Sequence, residues 1–453
     1  MSGGRVLMIA HHFPPAGGSG SNRALAFARY LPEHGWQPVV LTPGVAWAIH
    51  RDDRLLGEVP SEVRVIRTPS WEPRPARRPP LPLGEAARSA GEGGVGARTS
   101  RLDTAPSPLD KASPSGRGRF RSHIGHLKRF PDAHIGWLPF ALAAARRISF
   151  DVAYSSSGPF TSHLVGLALK RLTRRAWVAE LRDGWYGWNR AIFPDYPDWR
   201  DRLERRLEAA ALRSADRVVL VTERMANAFR CQYPDLSPGH FTVVPNGFDP
   251  AQFASASEPA APHSGWDVVH AGALYYGRSL AAFLDAAARV AATDANFVHE
   301  FRLRLIGTLD ASAMAEVNRC TGSTRVQLCG QLDHASTIDA LRAADALLLV
   351  ANTTPGAEAT VPGKLFEYLA VGRPVLAVAP PESSTADVLK QTGGGWLAPA
   401  DDPEAIASVL SQAFYDRSRR ADPRQVARFD RRALAGDLAR IFDQAAERAA
   451  HRV

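Results

Sequence analysis

The chain has 453 residues, too many for one ordinary hydrophobic core and enough for two domains of roughly 150–250 residues each. Its 45% hydrophobic content is that of a globular protein, while a formal charge of +9 favours anionic partners: nucleic acid, a membrane surface or phosphate-bearing substrates. Three cysteines (Cys231, Cys320, Cys329) match no disulfide or metal-ligand spacing, and no run approaches the roughly 20 apolar residues a bilayer span needs.

The opening run VLMIA is cut off by His11 and His12, so no secretory signal is expected. The expected location is cytoplasmic, at most peripheral at the inner face of a membrane. The first strand is predicted around Arg5–Ala10. The segment Pro14–Arg23, PPAGGSGSNR, follows it, and then a helix from about Asn22 to Tyr30 and a second strand around Gln37–Leu41. Gly17 and Gly18 let backbone approach a ligand, and the helix start offers free N–H groups to an anion. A tight turn reads equally well. Arg23 stands where a dinucleotide fingerprint would carry a glycine, and no acid closes the second strand at Leu41.

The strand–helix alternation continues, with strands expected near residues 63–67, 151–155, 177–180, 217–221 and 241–244. One stretch breaks it. From about Glu72 to Arg119 the chain is rich in Pro, Gly, Ser and Arg and nearly devoid of large apolar residues, which predicts a disordered insert at 72–119. Arginines in DRLERRLEAAALRSADR are interleaved with acids, the pattern of a solvated helix face. With no zinc-finger or RNA-binding signature, nucleic acid is not an expected partner.

A polar segment, 251–265, reads as a linker between a domain at 1–250 and a second at 266–425. Strands are expected there near residues 266–270, 301–306, 325–328, 346–350 and 374–378, with helices near 280–290, 337–343 and 363–370. A final amphipathic helix within 426–453 carries Leu434, Leu438, Ile441, Phe442 and Ala445 on one face and should pack back. The fold class is therefore α/β: two doubly wound parallel sheets facing one another across a cleft at their carboxyl ends.

Two second-half loops carry cations at helix starts. In HAGALYYGRSL, Gly272 bends the chain and Arg278 precedes a helix. In TVPGKLFEYLAVGRPVLAV, Pro362 and Gly363 open a helix, Lys364 sits in its first turn, and Glu367 lies one turn along. A cation there is unfavourable unless an anion binds. Lys364 and the bare amides would hold a diphosphate, and Glu367 would accept hydrogen bonds from ribose hydroxyls. A surface helix with an i,i+3 salt bridge is the other reading.

These blocks, with PDAHIGWLPFALAAARR, DVAYSSSGPFTSHLVGLALKR, WVAELRDGW, VVPNGFDP and GGGWLAPADDPEAIASVL, resemble the retaining glycosyltransferases of family 4, which have the GT-B fold of two facing Rossmann-like domains. The resemblance implies donor phosphates held by Gly17 and Gly18, by Gly272, and by the backbone at Gly363, Lys364 and Leu365, with Asn246 at the site and ribose on Glu367. Its basic pair after the first strand of the second domain is matched by Arg278 alone, since its other member falls on Ala273; Lys364 would supply that charge. Its E-x7-E motif ends at Glu367 but begins at Ala359, so Glu358, one residue away, is the candidate for the first acid. His163 is a candidate catalytic group and Asp183 an acceptor-side one.

The implied reaction moves a sugar from a UDP- or GDP-sugar to a hydroxyl of a glycan or lipid-linked acceptor in cell-surface polysaccharide or glycoconjugate synthesis, with no cofactor and no metal. A nucleotide-sugar epimerase of the same fold and a non-catalytic nucleotide-sugar-binding protein are the alternatives. An NAD-dependent oxidoreductase is disfavoured by the absent fingerprint.

Overall fold

The computed structural model describes residues 3–45, 51–71, 130–185, 196–253, 264–274, 278–320 and 325–451. The insert expected at 72–119 lies outside them, as does most of the linker expected at 251–265. Seven strands form the first sheet: β1 (Gly4–Ile9), β2 (Trp36–Pro43), β3 (Arg64–Thr68), β4 (Val152–Ser156), β5 (Ala176–Leu181), β6 (Arg217–Leu220) and β7 (Phe241–Val243). Their order is β3-β2-β1-β4-β5-β6-β7, and every pairing is parallel. Six more form the second: β8 (Trp266–Ala271), β9 (Phe301–Ile306), β10 (Val326–Gly330), β11 (Ala346–Val350), β12 (Val375–Val378) and β13 (Gly395–Ala398), in the order β10-β9-β8-β11-β12-β13. The direction of winding reverses between β1 and β4 in one sheet and between β8 and β11 in the other. Such a switch leaves a crevice outside the strands' carboxyl ends.

The inner strands of these sheets are covered on both faces, so they read as nearly continuous apolar runs such as ALLLV in β11, all five residues of which are buried. The helix Arg431–Ala450 contributes Leu434, Leu438, Ile441, Phe442 and Ala445 to the same cluster as Val6, Met8, Tyr154 and Val178 of the first sheet. The last long helix thus completes the first sheet's core, and Trp36 donates its Nε1–H to Asp443 at 3.1 Å across that seam.

The helix after β1 begins at Ser19, earlier than the apolar periodicity suggested, because Gly18 takes φ 97° and turns the chain directly into it. Strand β13 had no apolar alternation to reveal it. Its Gly395 is required by close approach, since a Cβ there would stand 2.0 Å from the Val375 carbonyl oxygen.

Candidate functional site

The loops after β1, β5 and β7 converge with those after β8, β11 and β12 on one cleft. A cavity of about 280 Å³ there is lined by Ser19, Arg182, Asp183 and Asn246 from the first sheet's loops. Arg278, Asn352, Gly363, Ser383 and Thr385 come from the second, and Arg431 from the returning helix. A larger cavity, of about 560 Å³, is lined by Val221, Phe366, Asp387, Phe429 and Leu434, among others, and by none of the glycine-loop residues or of Arg182, Arg278, Lys364 and Arg431.

On the first sheet's side, Gly18 is the N-cap of Ser19–Tyr30 and no side chain caps that helix, leaving its leading amides for a ligand. Gly17 is half-buried and Gly18 exposed beside it. Glycine at position 20 and at Gly158 (φ 77°) makes room for Arg182, whose Nη atoms come within 2.7 and 3.0 Å of where their Cβ atoms would lie. Beneath the loop, Arg23 donates from Nη2 to Glu180 Oε1 at 2.7 Å, to the Val244 carbonyl at 2.9 Å, and from Nη1 to the Pro245 carbonyl at 2.6 Å. Burial alone would raise the Glu180 carboxyl; the field and hydrogen bonds of Arg23, with one from Ser156, outweigh it and hold the carboxyl below its usual value. Asn246 accepts from Arg23 at 3.4 Å, so the buried pair also sets the loop that carries Asn246 to the cleft.

On the second sheet's side, the helix Gly363–Val371 starts at Pro362 without a side-chain cap. Its Tyr368 hydroxyl accepts from the Ala271 N–H at 2.8 Å, tying the helix to the end of β8. Gly272 then takes φ 113°, and a Cβ on it would stand 2.7 Å from Lys364 Nζ. Lys364 Nζ lies 3.3 Å from His270 Nε2. Burial first, then the field of Arg278, lowers the Lys364 ammonium to about 8, against the opposing field of Glu367. Burial, with Lys364 and Arg278, holds His270 at about 3. A pocket that depresses two cationic groups is one that an anion would relieve.

Three expectations are corrected. His163 is 1% exposed, with Nδ1 2.8 Å from Ser155 Oγ and its ring packed near Phe160 and Trp185; burial drops it to about 3, so it is a core histidine rather than a group facing the sugar. Glu358 is exposed in the turn Ala357–Ala359 and does not line the cleft, because the Ala359 carbonyl is held by Thr222 at 2.6 Å and Ser384 at 3.2 Å. Leu365 is fully buried in the core, and its amide already donates to the Pro362 carbonyl at 3.0 Å. Asp183 lies exposed at the rim of the cleft, and Glu367 is half-buried near Lys364.

Sequence reasoning missed His270, Arg182 and Arg431. His270 sat inside a motif read only for its glycine and arginine. Arg431 stands at a helix start, the same signal that singled out Lys364.

Two family models match in tandem: Glycosyltransferase Family 4 over residues 103–252 and Glycosyl transferases group 1 over residues 266–416. The chain is a GT-B glycosyltransferase of family 4/group 1. Solved glycosyltransferases share its fold over nearly their whole length. Sucrose-phosphate synthase from Thermosynechococcus elongatus superposes with a TM-score of 0.60 at 16% identity, over 97% of this chain and 98% of that one. An α,α-trehalose-phosphate synthase (UDP-forming) from Burkholderia vietnamiensis gives 0.61 at 12%, over 99% and 100%. WaaG, a glycosyltransferase involved in lipopolysaccharide biosynthesis, gives 0.50 at 15%, over 98% of each. At such identities the likeness is one of fold. A search of the curated proteins finds no sequence match. Among the described residues no helix of this glycosyltransferase is long and apolar enough to cross a membrane, and no group of three or more His, Cys, Asp or Glu is placed to hold a metal ion.

Proposed function

We propose that this glycosyltransferase takes a sugar from a UDP- or GDP-sugar and transfers it, with retention, to a hydroxyl of a glycan or lipid-linked acceptor in cell-surface polysaccharide or glycoconjugate synthesis, without a metal. The observation that carries this reading is that Arg278 and the first residues of two uncapped helices, Ser19 and Gly363, line one cleft, with Lys364 next to Gly363 and in the field of Arg278. Residues 266–425 are then the donor-binding side, 1–250 the acceptor side, and 426–453 the segment that packs back.

The barrier to such a transfer is charge separation, an oxocarbenium-like sugar parting from a diphosphate. Lys364 and Arg278 stabilise the departing anion, preorganised charge being the largest contribution available without a metal. Glu367 accepts from the ribose hydroxyls. The acceptor hydroxyl attacks the anomeric carbon from the face the diphosphate leaves. The C–O bond to the diphosphate breaks as the new C–O bond forms, and the acceptor's proton passes to a diphosphate oxygen. The excess of positive charge suits a protein working against an anionic inner membrane surface.

Thermal-shift titration with nucleosides, nucleoside monophosphates and nucleoside diphosphates tests the reading first. UDP or GDP should stabilise most, and equal shifts from the bare nucleosides would overturn the phosphate site. Assay with UDP- and GDP-sugars follows: slow hydrolysis accelerated by an acceptor glycan fits transfer, whereas isomerisation of the sugar with no acceptor would make the protein an epimerase.

A further inference from the structure

Arg431 is the first residue of the helix Arg431–Ala450, yet only 8% of its surface is exposed, and what remains lines the cleft. Its Nε is buried and has no hydrogen-bond partner among the described residues. A guanidinium carries five donors and stays charged, so leaving one buried and unbonded is costly unless a ligand takes it up. Burial lowers the guanidinium from its usual value; the fields of Glu367 and Asp249 oppose that shift and the field of Arg23 adds to it. Asp249 cannot turn to it, because its two carboxylate oxygens are held by Arg29 at 2.8 Å and Tyr30 at 2.6 Å.

The backbone fixes where the side chain starts. The N–H of Arg431 donates to the Phe248 carbonyl at 3.0 Å, the N–H of Phe248 donates to the Phe429 carbonyl at 3.0 Å, and Asp430 caps the helix by accepting from the Arg432 N–H at 2.7 Å. Gly247 admits this crossing; a Cβ on it would stand 2.1 Å from the Phe429 carbonyl oxygen. The helix behind Arg431 is buried in the first sheet's core through Leu434, Leu438 and Phe442. Arg278 and Lys364, by contrast, follow strands of the second sheet.

We propose that Arg431 is a third cation for the donor diphosphate, presented from the first sheet's side of the cleft, so that one bound anion bonds to both halves of the molecule. This rests on the nucleotide-diphosphate reading of the cleft. Binding energy is thereby spent on holding the two halves together around the sugar, which excludes water from the reacting centre.

The test compares Arg431→Gln and Arg431→Lys with Lys364→Ala by calorimetric titration of UDP, GDP and their nucleosides. Arg431→Gln should lose roughly ten- to a hundredfold in diphosphate affinity, the size of a charge-assisted hydrogen bond, and leave nucleoside affinity unchanged. Arg431→Lys should recover part of the loss. Without ligand, the Gln variant should melt no lower than the parent, because an unpaired buried charge has been removed; a residue with a merely structural role would show the reverse. Normal diphosphate affinity in Arg431→Gln, with Lys364→Ala impaired, overturns the assignment and leaves the donor site standing. Normal donor binding with a raised acceptor KM also overturns it, and gives Arg431 to an acceptor phosphate. Normal affinity in both variants removes the diphosphate site itself.

Discussion

Nζ of Lys364 stands 3.3 Å from Nε2 of His270, and Nδ1 of the same ring lies 2.9 Å from the Leu348 carbonyl oxygen. A carbonyl can only accept, so Nδ1 carries the proton and Nε2 offers its lone pair to the ammonium. His270 is therefore a neutral acceptor that aims Lys364 across Gly272. Its own titration, held at about 3, lies far below any working pH.

The lysine sets the pH behaviour. Its pKa is lowered to about 8 in the free protein, so it is charged below pH 8 and loses its proton as pH rises through that value. Affinity for UDP or GDP should then fall by up to about tenfold per pH unit above 8, the limit for one linked proton. Because the folded value lies below that of an unfolded lysine, the free protein should gain stability as pH rises between the two. Lys364→Arg should abolish the break, since guanidinium stays protonated throughout. Calorimetric titration from pH 6.5 to 10 measures both, and an unchanged break in the Arg variant would assign it to another group.

Arg278 and Lys364 should matter most as the glycosidic bond breaks. Each Ala variant should lose about a hundred- to a thousandfold in kcat, the usual effect of removing a preorganised electrostatic donor. Their double variant should lose less than the product of the two, because both act on one anion. Ribose contacts change little on the way to the transition state, so Glu367→Gln should chiefly raise the donor KM. Steady-state kinetics of the four variants decide, and near-normal turnover in both cation variants would move the phosphate site elsewhere.

Gly272→Ala places a methyl group where Lys364 Nζ sits, 2.7 Å away, at a φ of 113° that costs a side chain about 1–3 kcal/mol. The melting temperature should drop by a few degrees, and diphosphate affinity should drop at least tenfold as the ammonium is pushed off His270. Unchanged affinity alongside the lowered melting point would mean that Lys364 binds in another rotamer.

Glu180→Gln breaks the buried pair with Arg23 and should cost about 3–5 kcal/mol of stability. It should also disturb donor binding, because Arg23 holds the Val244 and Pro245 carbonyls just before Asn246. Urea unfolding together with a UDP or GDP titration tests the pair; a midpoint equal to the parent's would show that Arg23 is held by the carbonyls alone.

Chelation gives the last expectation. With Arg278, Lys364 and Arg431 around the diphosphate, EDTA should leave transfer activity within about twofold, since preorganised cations can supply the charge stabilisation that a metal otherwise would. Loss of activity restored by magnesium or manganese would sink the metal-free mechanism.

The two sheets were legible because buried parallel strands are apolar throughout, as in VLMI and ALLLV, while their helices repeat with a different period. The loop at Lys364 stood out as a candidate because Lys364 violates the electrostatic preference of a helix start. Strand β13 was hidden because it is short and opens on Gly395, which serves close packing against Val375 and leaves no pattern. His163 misled because a histidine in the helix that follows a strand reads alike whether it faces a cleft or, as here, Ser155 in the core. Glu358 misled for another reason: spacing along a motif says nothing of where a turn points, and the Ala359 carbonyl, clamped by Thr222 and Ser384, leaves Glu358 in solvent. Arg431 carries the same local signal as Lys364, a cation at a helix start, but its place beside the cleft depends on a helix crossing from one sheet to the other, which local sequence does not show.

That crossing imposes an order on the molecule's birth. Synthesis runs from β1 onward, so Val6, Met8, Tyr154 and Val178 leave the ribosome long before the Leu434–Ala445 face that covers them. Throughout translation of the second sheet, the nascent first sheet presents a bare apolar flank and has no finished fold of its own. Cutting the chain between the sheets would separate that flank from its cover, whereas rejoining residues 431–451 ahead of β1 would restore it.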